Sequence, residues 1–213
     1  MTARHAVYWV PAVDHPLWAA GTRWLADGPH RATARRYGFH ATVKAPMRLN
    51  APEAEFAAAL AALARAHTAA PLPALAVGWL RGFLALLPVA PLPAAFDALA
   101  TACVQDLDRF RVPFDAAERA RRIAGLDDEQ LRLFDRWGYP HLFHRWTFHL
   151  TLSDDLDEAD DPALRDTLTA DARAGFADAL ARPTGPGELA WCAEAGPGEP
   201  FVLRQRFPIG GGA

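Results

Sequence analysis

The clearest pattern in the chain is an alternation of apolar and polar positions in residues 37–46, which read YGFHATVKAP. Alternation with a period of two predicts a half-buried strand, and a proline closes the segment. One face of this strand is apolar and carries Phe39, Ala41 and Val43. The opposite face carries an imidazole, a hydroxyl and an amine, contributed by His40, Thr42 and Lys44. Such a row of reactive groups on one strand face indicates a functional site.

The same pattern returns roughly half a chain later, in residues 146–152, which read WTFHLTL. Phe148, Leu150 and Leu152 share an apolar face, and the other face carries Thr147, His149 and Thr151. The chain therefore contains two copies of a strand with the sequence apolar-His-apolar-Thr. This repetition is the main functional signal in the sequence.

The remaining segments predict strands and helices in alternation. Five further strands are predicted at Ala6–Val10, Leu75–Leu80, Phe83–Val89, Leu189–Ala193 and Phe201–Phe207. Helices are predicted over His15–Ala26, from a capping box at Asn50 and Glu53, from Pro91 to Phe110, in two short pieces of 112–138, and from Asp161 onward. His30–Arg36 is predicted to be a loop, and 154–161 an acidic loop.

Each His-x-Thr strand is followed by a helix and then by two strands, which is a weak internal repeat. Helices mixed with antiparallel strand pairs predict an α+β fold with two related lobes rather than a doubly wound parallel sheet. We expect residues 1–209 to form one domain and the glycine-rich residues 210–213 to be a disordered tail.

Composition narrows the class of protein. The chain has 213 residues, of which 51% are hydrophobic and 22% charged, and its net charge is −3. No apolar run reaches the ~18 residues of a membrane span. The negative net charge and the pI near 6.2 argue against binding of long nucleic acid. Two cysteines without metal spacing and an N-terminus without a signal-peptide core predict a reduced, cytoplasmic protein.

Two imidazoles and two hydroxyls that converge on one pocket suit acid–base chemistry at a phosphate ester. One neutral histidine can act as the base while the other, protonated, acts as the acid. Each threonine lies two positions after its histidine, so its hydroxyl can donate a hydrogen bond to a phosphate oxygen. This interpretation needs no metal ion. The sequence does not indicate which histidine is the base.

The paired motifs resemble those of the 2H phosphoesterase superfamily. Longer strings are similar to the DUF1045 branch of proteins associated with phosphonate metabolism. These strings are Tyr37–Pro46, Gly82–Leu86, Arg136–Pro140, Phe148–Leu152 and Arg206–Pro208. The resemblance extends from about Tyr8 to Phe207.

The resemblance implies that His40 and His149 are catalytic and that Thr42 and Thr151 bind phosphate. It also implies a bilobed fold around a central cleft, without a metal ion. The chain has no Gly-rich phosphate loop, Walker motif or dinucleotide fingerprint, so we expect no nucleotide cofactor. The expected protein is a hydrolase that opens a small cyclic phosphate. The association of the branch with phosphonate metabolism implies ribose 1,2-cyclic phosphate 5-phosphate as the substrate. Two alternatives stay open: RNA end processing as in 2′,3′-cyclic phosphodiesterases and 2′-5′ ligases, and a non-catalytic module that binds a phosphorylated ligand.

Three further residues are candidates for substrate binding, each with a structural alternative. Lys44 either binds a phosphate or lies on the surface at the strand end, and Tyr37 either reaches the cleft or packs at the edge of the core. Arg145 either meets substrate charge or forms a surface salt bridge. His141 and His144 have a metal-like spacing, but a Gly-Tyr-Pro turn precedes them and no helix aligns their rings, so we expect no metal site.

Overall fold

The computed structural model describes residues 3–156 and 161–210, and these residues form an α+β fold. The strands are β1 Arg4–Val10, β2 Ala41–Met47, β3 Leu75–Leu80, β4 Phe83–Pro88, β5 Leu150–Thr151, β6 Glu188–Glu194 and β7 Val202–Pro208. The helices are α1 Pro16–Ala26, α2 Ala32–Tyr37, α3 Glu53–Ala66, α4 Ala94–Asp106, α5 Ala116–Arg122, α6 Asp128–Trp137 and α7 Pro162–Leu180. Short 3₁₀ helices span Asp108–Phe110 and Phe143–Arg145.

The strands form two antiparallel sheets, and each sheet draws on both halves of the sequence. The first sheet has the order β2-β1-β6-β7 and the second the order β3-β4-β5. The hairpin that follows the first His-x-Thr motif therefore pairs with the second motif. In turn, the hairpin that follows the second motif joins the sheet of the first. Each motif strand thus lies in a sheet that contains the hairpin following the other motif.

The first strand, β1, lies in the middle of the larger sheet, and its side chains reach two different apolar clusters. Val7 and Trp9 belong to the main core, whereas Tyr8 points to the opposite face with Phe201. The Trp9 ring meets Phe148 of the second motif at a centroid distance of 5.3 Å. Burial on both faces explains why this strand is a continuous apolar run rather than an alternating one.

Several predicted elements are confirmed. The strands β3 and β4 form a hairpin across Arg81 and Gly82, and β6 and β7 form the final antiparallel pair. Helix α7 begins where the sequence predicts it, because the Asp161 carboxylate accepts a hydrogen bond from Leu164 N at 2.8 Å. Asp and Asn are preferred at this position because they satisfy a free N–H of the first helical turn.

Two local predictions are wrong. The predicted loop His30–Arg36 contains helix α2, whose first turn is held by Asp154: its carboxylate accepts hydrogen bonds from Ala32 N and Thr33 N. This cap comes from a distant part of the chain, so local sequence does not reveal it. The predicted capping box at Asn50 does not form, because Asn50 donates its amide to Arg109 O and α3 begins after Pro52.

Both motif strands are shorter than predicted. Strand β2 begins at Ala41, so His40 precedes it, and β5 contains only Leu150 and Thr151. The register that pairs Leu86 with Leu150 would place Pro88 opposite Phe148. Proline has no N–H to continue the ladder. His149 therefore lies just before a strand, as His40 does.

No helix in the described ranges is long and apolar enough to cross a membrane. The predicted acidic loop lies partly outside the described residues, at 157–160, and most of the predicted disordered tail also lies outside them, at 211–213.

Candidate functional site

Both His-x-Thr pairs line one cavity of about 410 Å³ between the two sheets. His40 and Thr42 enter from the larger sheet, and His149 and Thr151 from the smaller one. The rest of the wall includes aromatic, basic and acidic residues, among them Arg4, Tyr8, Tyr37, Phe83, Arg122, Tyr139, Asp154 and Asp155. The convergence of the two motifs expected from sequence is thus present in the fold.

His40 is held on three sides. Its Nδ1 lies 2.9 Å from Gly38 O and its Nε2 lies 3.1 Å from the Thr42 hydroxyl oxygen. A carbonyl can only accept, so Nδ1 carries the proton and Nε2 accepts from Thr42. The Tyr8 ring stacks on the imidazole at a centroid distance of 3.7 Å. The pKa of His40 is lowered to about 4, chiefly by burial. The Gly38 hydrogen bond opposes this shift, and the charge of His149 contributes to it.

His149 has the same tautomer but fewer contacts. Its Nδ1 donates to Thr147 O at 2.7 Å, and its ring lies 5.3 Å from the Phe83 ring. Burial lowers the pKa of His149, and the nearby positive charge of Arg81 adds to this against the raising effect of the Thr147 hydrogen bond. Both rings are therefore neutral near pH 7. The Nε2 lone pair of His40 accepts from Thr42, whereas His149 Nε2 has no partner among the described residues.

The two motifs also touch directly. Trp146 begins the second motif, and its indole Nε1 donates a hydrogen bond to Thr42 O at 2.9 Å. The same indole stacks on Phe96 of α4 at a centroid distance of 6.0 Å. This link fixes the position of one motif relative to the other.

Lys44 does not share the face of His40, so the prediction of a continuous polar face is wrong at this position. Val7 pairs with Lys44 and Tyr8 pairs with Thr42, which leaves Val43 as an extra residue in a β-bulge. The bulge turns Lys44 toward the interior, where its ammonium donates to Val104 O at 2.9 Å and to Asp108 at 3.3 Å. Burial lowers the pKa of Lys44 to about 8, although Asp108 opposes this.

The other two candidates lie closer to the cavity. Tyr37 lines it from the end of α2 and stacks on Phe201 at a centroid distance of 5.1 Å. Arg145 lines a smaller adjoining cavity of about 170 Å³, and its guanidinium pairs with Asp127 and Glu129. The ion-pairing interpretation of Arg145 is therefore the one that the contacts support.

The histidines with metal-like spacing lie outside the main cavity. His144 pairs with Glu129 at 2.9 Å, and His141 lines the smaller cavity. Residues 3–156 and 161–210 contain no group of three or more His, Cys, Asp or Glu side chains that could hold a metal ion.

Sequence reasoning missed several residues of the cavity wall. Tyr8 lies in a run of buried apolar residues, and nothing local distinguishes it from a core residue. Its hydroxyl is buried without a hydrogen-bond partner in the described residues, and burial raises the pKa of Tyr8 well above its usual value. Arg4 and Arg122 come from β1 and α5, and only the tertiary fold brings them to the site.

A comparison with protein families identifies the chain. Residues 42–202 match the family described as "Protein of unknown function (DUF1045)". The chain belongs to the DUF1045 family. The matched part includes both threonines and His149, and His40 lies two residues before it.

Two relatives of this DUF1045 chain carry the name ribose 1,5-bisphosphate phosphokinase PhnN. The protein from Janthinobacterium sp. (strain Marseille) is 37% identical over 233 residues, covering 98% of this chain and 51% of the relative. The protein from Laribacter hongkongensis (strain HLHK9) is 36% identical over 200 residues, covering 84% of this chain and 46% of the relative. The chain spans about half the length of these curated relatives.

These names overturn the activity expected from sequence. Both relatives are named as kinases, whereas the resemblance implied a hydrolase that opens a cyclic phosphate. The DUF1045 branch and its association with phosphonate metabolism agree with the comparisons. The error has a chemical cause, because imidazole and hydroxyl pairs bind phosphate esters in general. They do not themselves specify whether water or another group receives the phosphoryl group.

Proposed function

We propose that this chain binds a phosphorylated ribose of the ribose 1,5-bisphosphate class and takes part in phosphoryl transfer to it. In this transfer the terminal P–O bond of ATP breaks, a P–O bond to the sugar phosphate forms, and ADP leaves. The observation that carries the proposal is the convergence of His40, Thr42, His149 and Thr151 on one cavity. The substrate class comes from the names of the two relatives, and their longer chains make the complete activity a proposal here.

The four polar residues have complementary roles in this proposal. The Thr42 and Thr151 hydroxyls donate hydrogen bonds to non-bridging phosphate oxygens, where the negative charge is concentrated. The Nε2 atoms of His40 and His149 exchange a proton with the same phosphate group. A bound dianion favours the charged imidazole, so binding raises the pKa of each ring and draws a proton onto Nε2. Each protonated ring then donates to a phosphate oxygen.

The cavity walls suit a sugar between these groups. Tyr37, Phe83 and Tyr139 supply flat surfaces for the ribose, and the volume of about 410 Å³ lies in the usual range of small-molecule sites. A two-lobed arrangement of the 2H type, with one His-x-Thr pair from each lobe, is part of this proposal. In this proposal the two His-x-Thr pairs serve phosphate binding and phosphoryl transfer.

Calorimetry with ribose 1,5-bisphosphate tests the proposal. We expect saturable binding by the wild type, and a strong loss of affinity in the double variant Thr42→Val and Thr151→Val. Transfer is followed in parallel by phosphorus NMR with ATP as the phosphoryl donor. Thr167→Val is a matched control, because its hydroxyl bonds Ala163 O within α7, away from the cavity. Equal affinity in wild type and double variant would refute the proposed site.

A further inference from the structure

A second cavity of about 170 Å³ adjoins the main one and shares His149, Thr42, Phe83 and Tyr139 with it. It lies between the tip of the β3–β4 hairpin and the segment 139–149. Its remaining wall includes Arg81 at the hairpin tip. A ligand held at His149 can therefore extend into this space without leaving the protein.

Arg81 has an unusual backbone conformation for its residue type. Its φ is 56°, in the left-handed region that glycine adopts without strain and other residues adopt at a cost. The same turn contains a glycine, Gly82, but it follows Arg81 and does not occupy the position with positive φ. At Gly82 a side chain would collide with the Asp155 carboxylate. The chain therefore keeps an arginine where the backbone favours glycine, which suggests that its side chain is used.

The other arginines around the two cavities are already paired. Arg4 pairs with Glu194, Arg122 with Glu118, and Arg145 with Asp127 and Glu129. Arg81 is exposed and forms no ion pair or side-chain hydrogen bond within residues 3–156 and 161–210. Its guanidinium is thus the cation at this site that is not neutralised by a described carboxylate. Arg81 lines the smaller cavity together with His149, Tyr139 and His141.

We propose that the smaller cavity is a second phosphate subsite and that Arg81 binds the phosphate there. This inference rests on the proposed function, because it assigns the two ends of a sugar bisphosphate to two places. One phosphate lies between the His-x-Thr pairs, and the other lies at the hairpin tip. The planar guanidinium is suited to this task, since it binds phosphate oxygens through two parallel hydrogen bonds. The subsite makes the protein selective for a bisphosphate over a monophosphate.

The test compares ribose 1,5-bisphosphate with ribose 5-phosphate by calorimetry in wild type and Arg81→Gly. The variant removes the guanidinium and relieves the backbone, so we expect an equal or higher melting temperature. Affinity for the bisphosphate should fall by about tenfold to a hundredfold, the range for a hydrogen bond to a charged group. Affinity for the monophosphate should change by less than about twofold, because that phosphate binds at the His-x-Thr pairs.

Two further variants separate this proposal from its rivals. Arg121→Ala removes an exposed charge from α5 outside both cavities and should leave both affinities unchanged. Arg122→Ala tests another cation of the main cavity, which does not line the smaller one. The proposal is overturned if Arg81→Gly keeps its preference for the bisphosphate, if it loses both ligands equally, or if Arg122→Ala is the variant that loses the preference. Failure of the wild type to bind either ligand would overturn the proposed function itself.

Discussion

The two His-x-Thr sites share a sequence pattern and a tautomer but differ in how firmly they are held. His40 has both ring nitrogens engaged and lies under the Tyr8 ring. Among the residues that the structure describes, His149 has a hydrogen-bond partner at Nδ1 alone, and its ring plane lies at 45° to that of Phe83. The first site is fixed before any ligand arrives, whereas the second keeps an unengaged Nε2.

This difference suggests a division of labour within one cavity. A fixed imidazole positions a phosphate oxygen at little entropic cost. A less constrained imidazole can adjust to the ligand and lies beside the adjoining cavity and Arg81. The two sites should therefore contribute similarly to phosphoryl transfer but differently to the stability of the fold.

The largest expected effect is on transfer. We expect His40→Ala and His149→Ala each to lower the rate of phosphoryl transfer by about 10²- to 10⁴-fold, the usual contribution of a positioned proton-transfer group. His40→Ala should also lower the free energy of unfolding by about 1 kcal/mol more than His149→Ala, because it loses the stack on Tyr8. Rates by phosphorus NMR and urea denaturation measure the two effects. Full transfer in either variant would contradict the shared role.

The second effect concerns acid stability. Because the folded pKa of His40 is about 4 and the unfolded value about 6.5, the unfolded chain binds more protons between these pH values. The stability that neutral His40 contributes is thus complete above pH 6.5 and is lost as the pH falls to 4. The loss amounts to at most about 3 kcal/mol. Urea denaturation across this range should show a shallower slope for His40→Gln, and an unchanged slope would disprove the assignment.

A smaller effect distinguishes the two hydroxyls. Thr42→Val removes the hydroxyl that donates to His40 Nε2 in the unliganded protein and that, once Nε2 is protonated, is proposed to donate to phosphate instead. Thr151→Val removes only the proposed phosphate contact. We expect each to weaken ribose 1,5-bisphosphate binding by about tenfold, as for one hydrogen bond to a charged group. Only Thr42→Val should change the NMR chemical shifts of its histidine before ligand is added. The reverse pattern would show that the second site is the better organised one.

The smallest effect is expected at Tyr8. Tyr8→Phe keeps the stack on His40 and removes a buried hydroxyl that has no described partner. The free energy of unfolding should stay the same or rise by up to about 1 kcal/mol, because an unsatisfied buried polar group is costly. Tyr8→Leu removes the ring and should be destabilising. A marked loss of stability in Tyr8→Phe would reveal a hydrogen bond to the hydroxyl in solution.

The sequence predicts the local parts of this site well. The apolar face of the first motif is correct, since Phe39, Ala41 and Val43 are all buried. The spacing of His and Thr by two residues places each pair on one wall of the cavity. Hydrophobic periodicity determines these features, and it acts within a single strand.

The sequence does not predict features that depend on distant contacts. The bulge at Val43 redirects Lys44, and only the pairing with β1 reveals it. The helix at 32–37 depends on a cap from Asp154, and the exchange of hairpins between the sheets depends on the whole topology. Tyr8 and Arg81 reach the cavities for the same reason. The prediction of the activity is wrong for another reason. Groups that bind phosphate do not determine which molecule accepts the phosphoryl group.

The exchange of hairpins between the two sheets also has a consequence for how the chain folds. Neither sheet can be completed from one half of the sequence, since β5 needs β4 and β6 needs β1. Strand pairs that are far apart in sequence form slowly, because the entropy cost of closing a large loop comes before the favourable contacts are made. A fragment that ends before β5 would leave the β4 edge unpaired and prone to aggregate. We therefore expect the cavity to form only when both halves of the chain have paired.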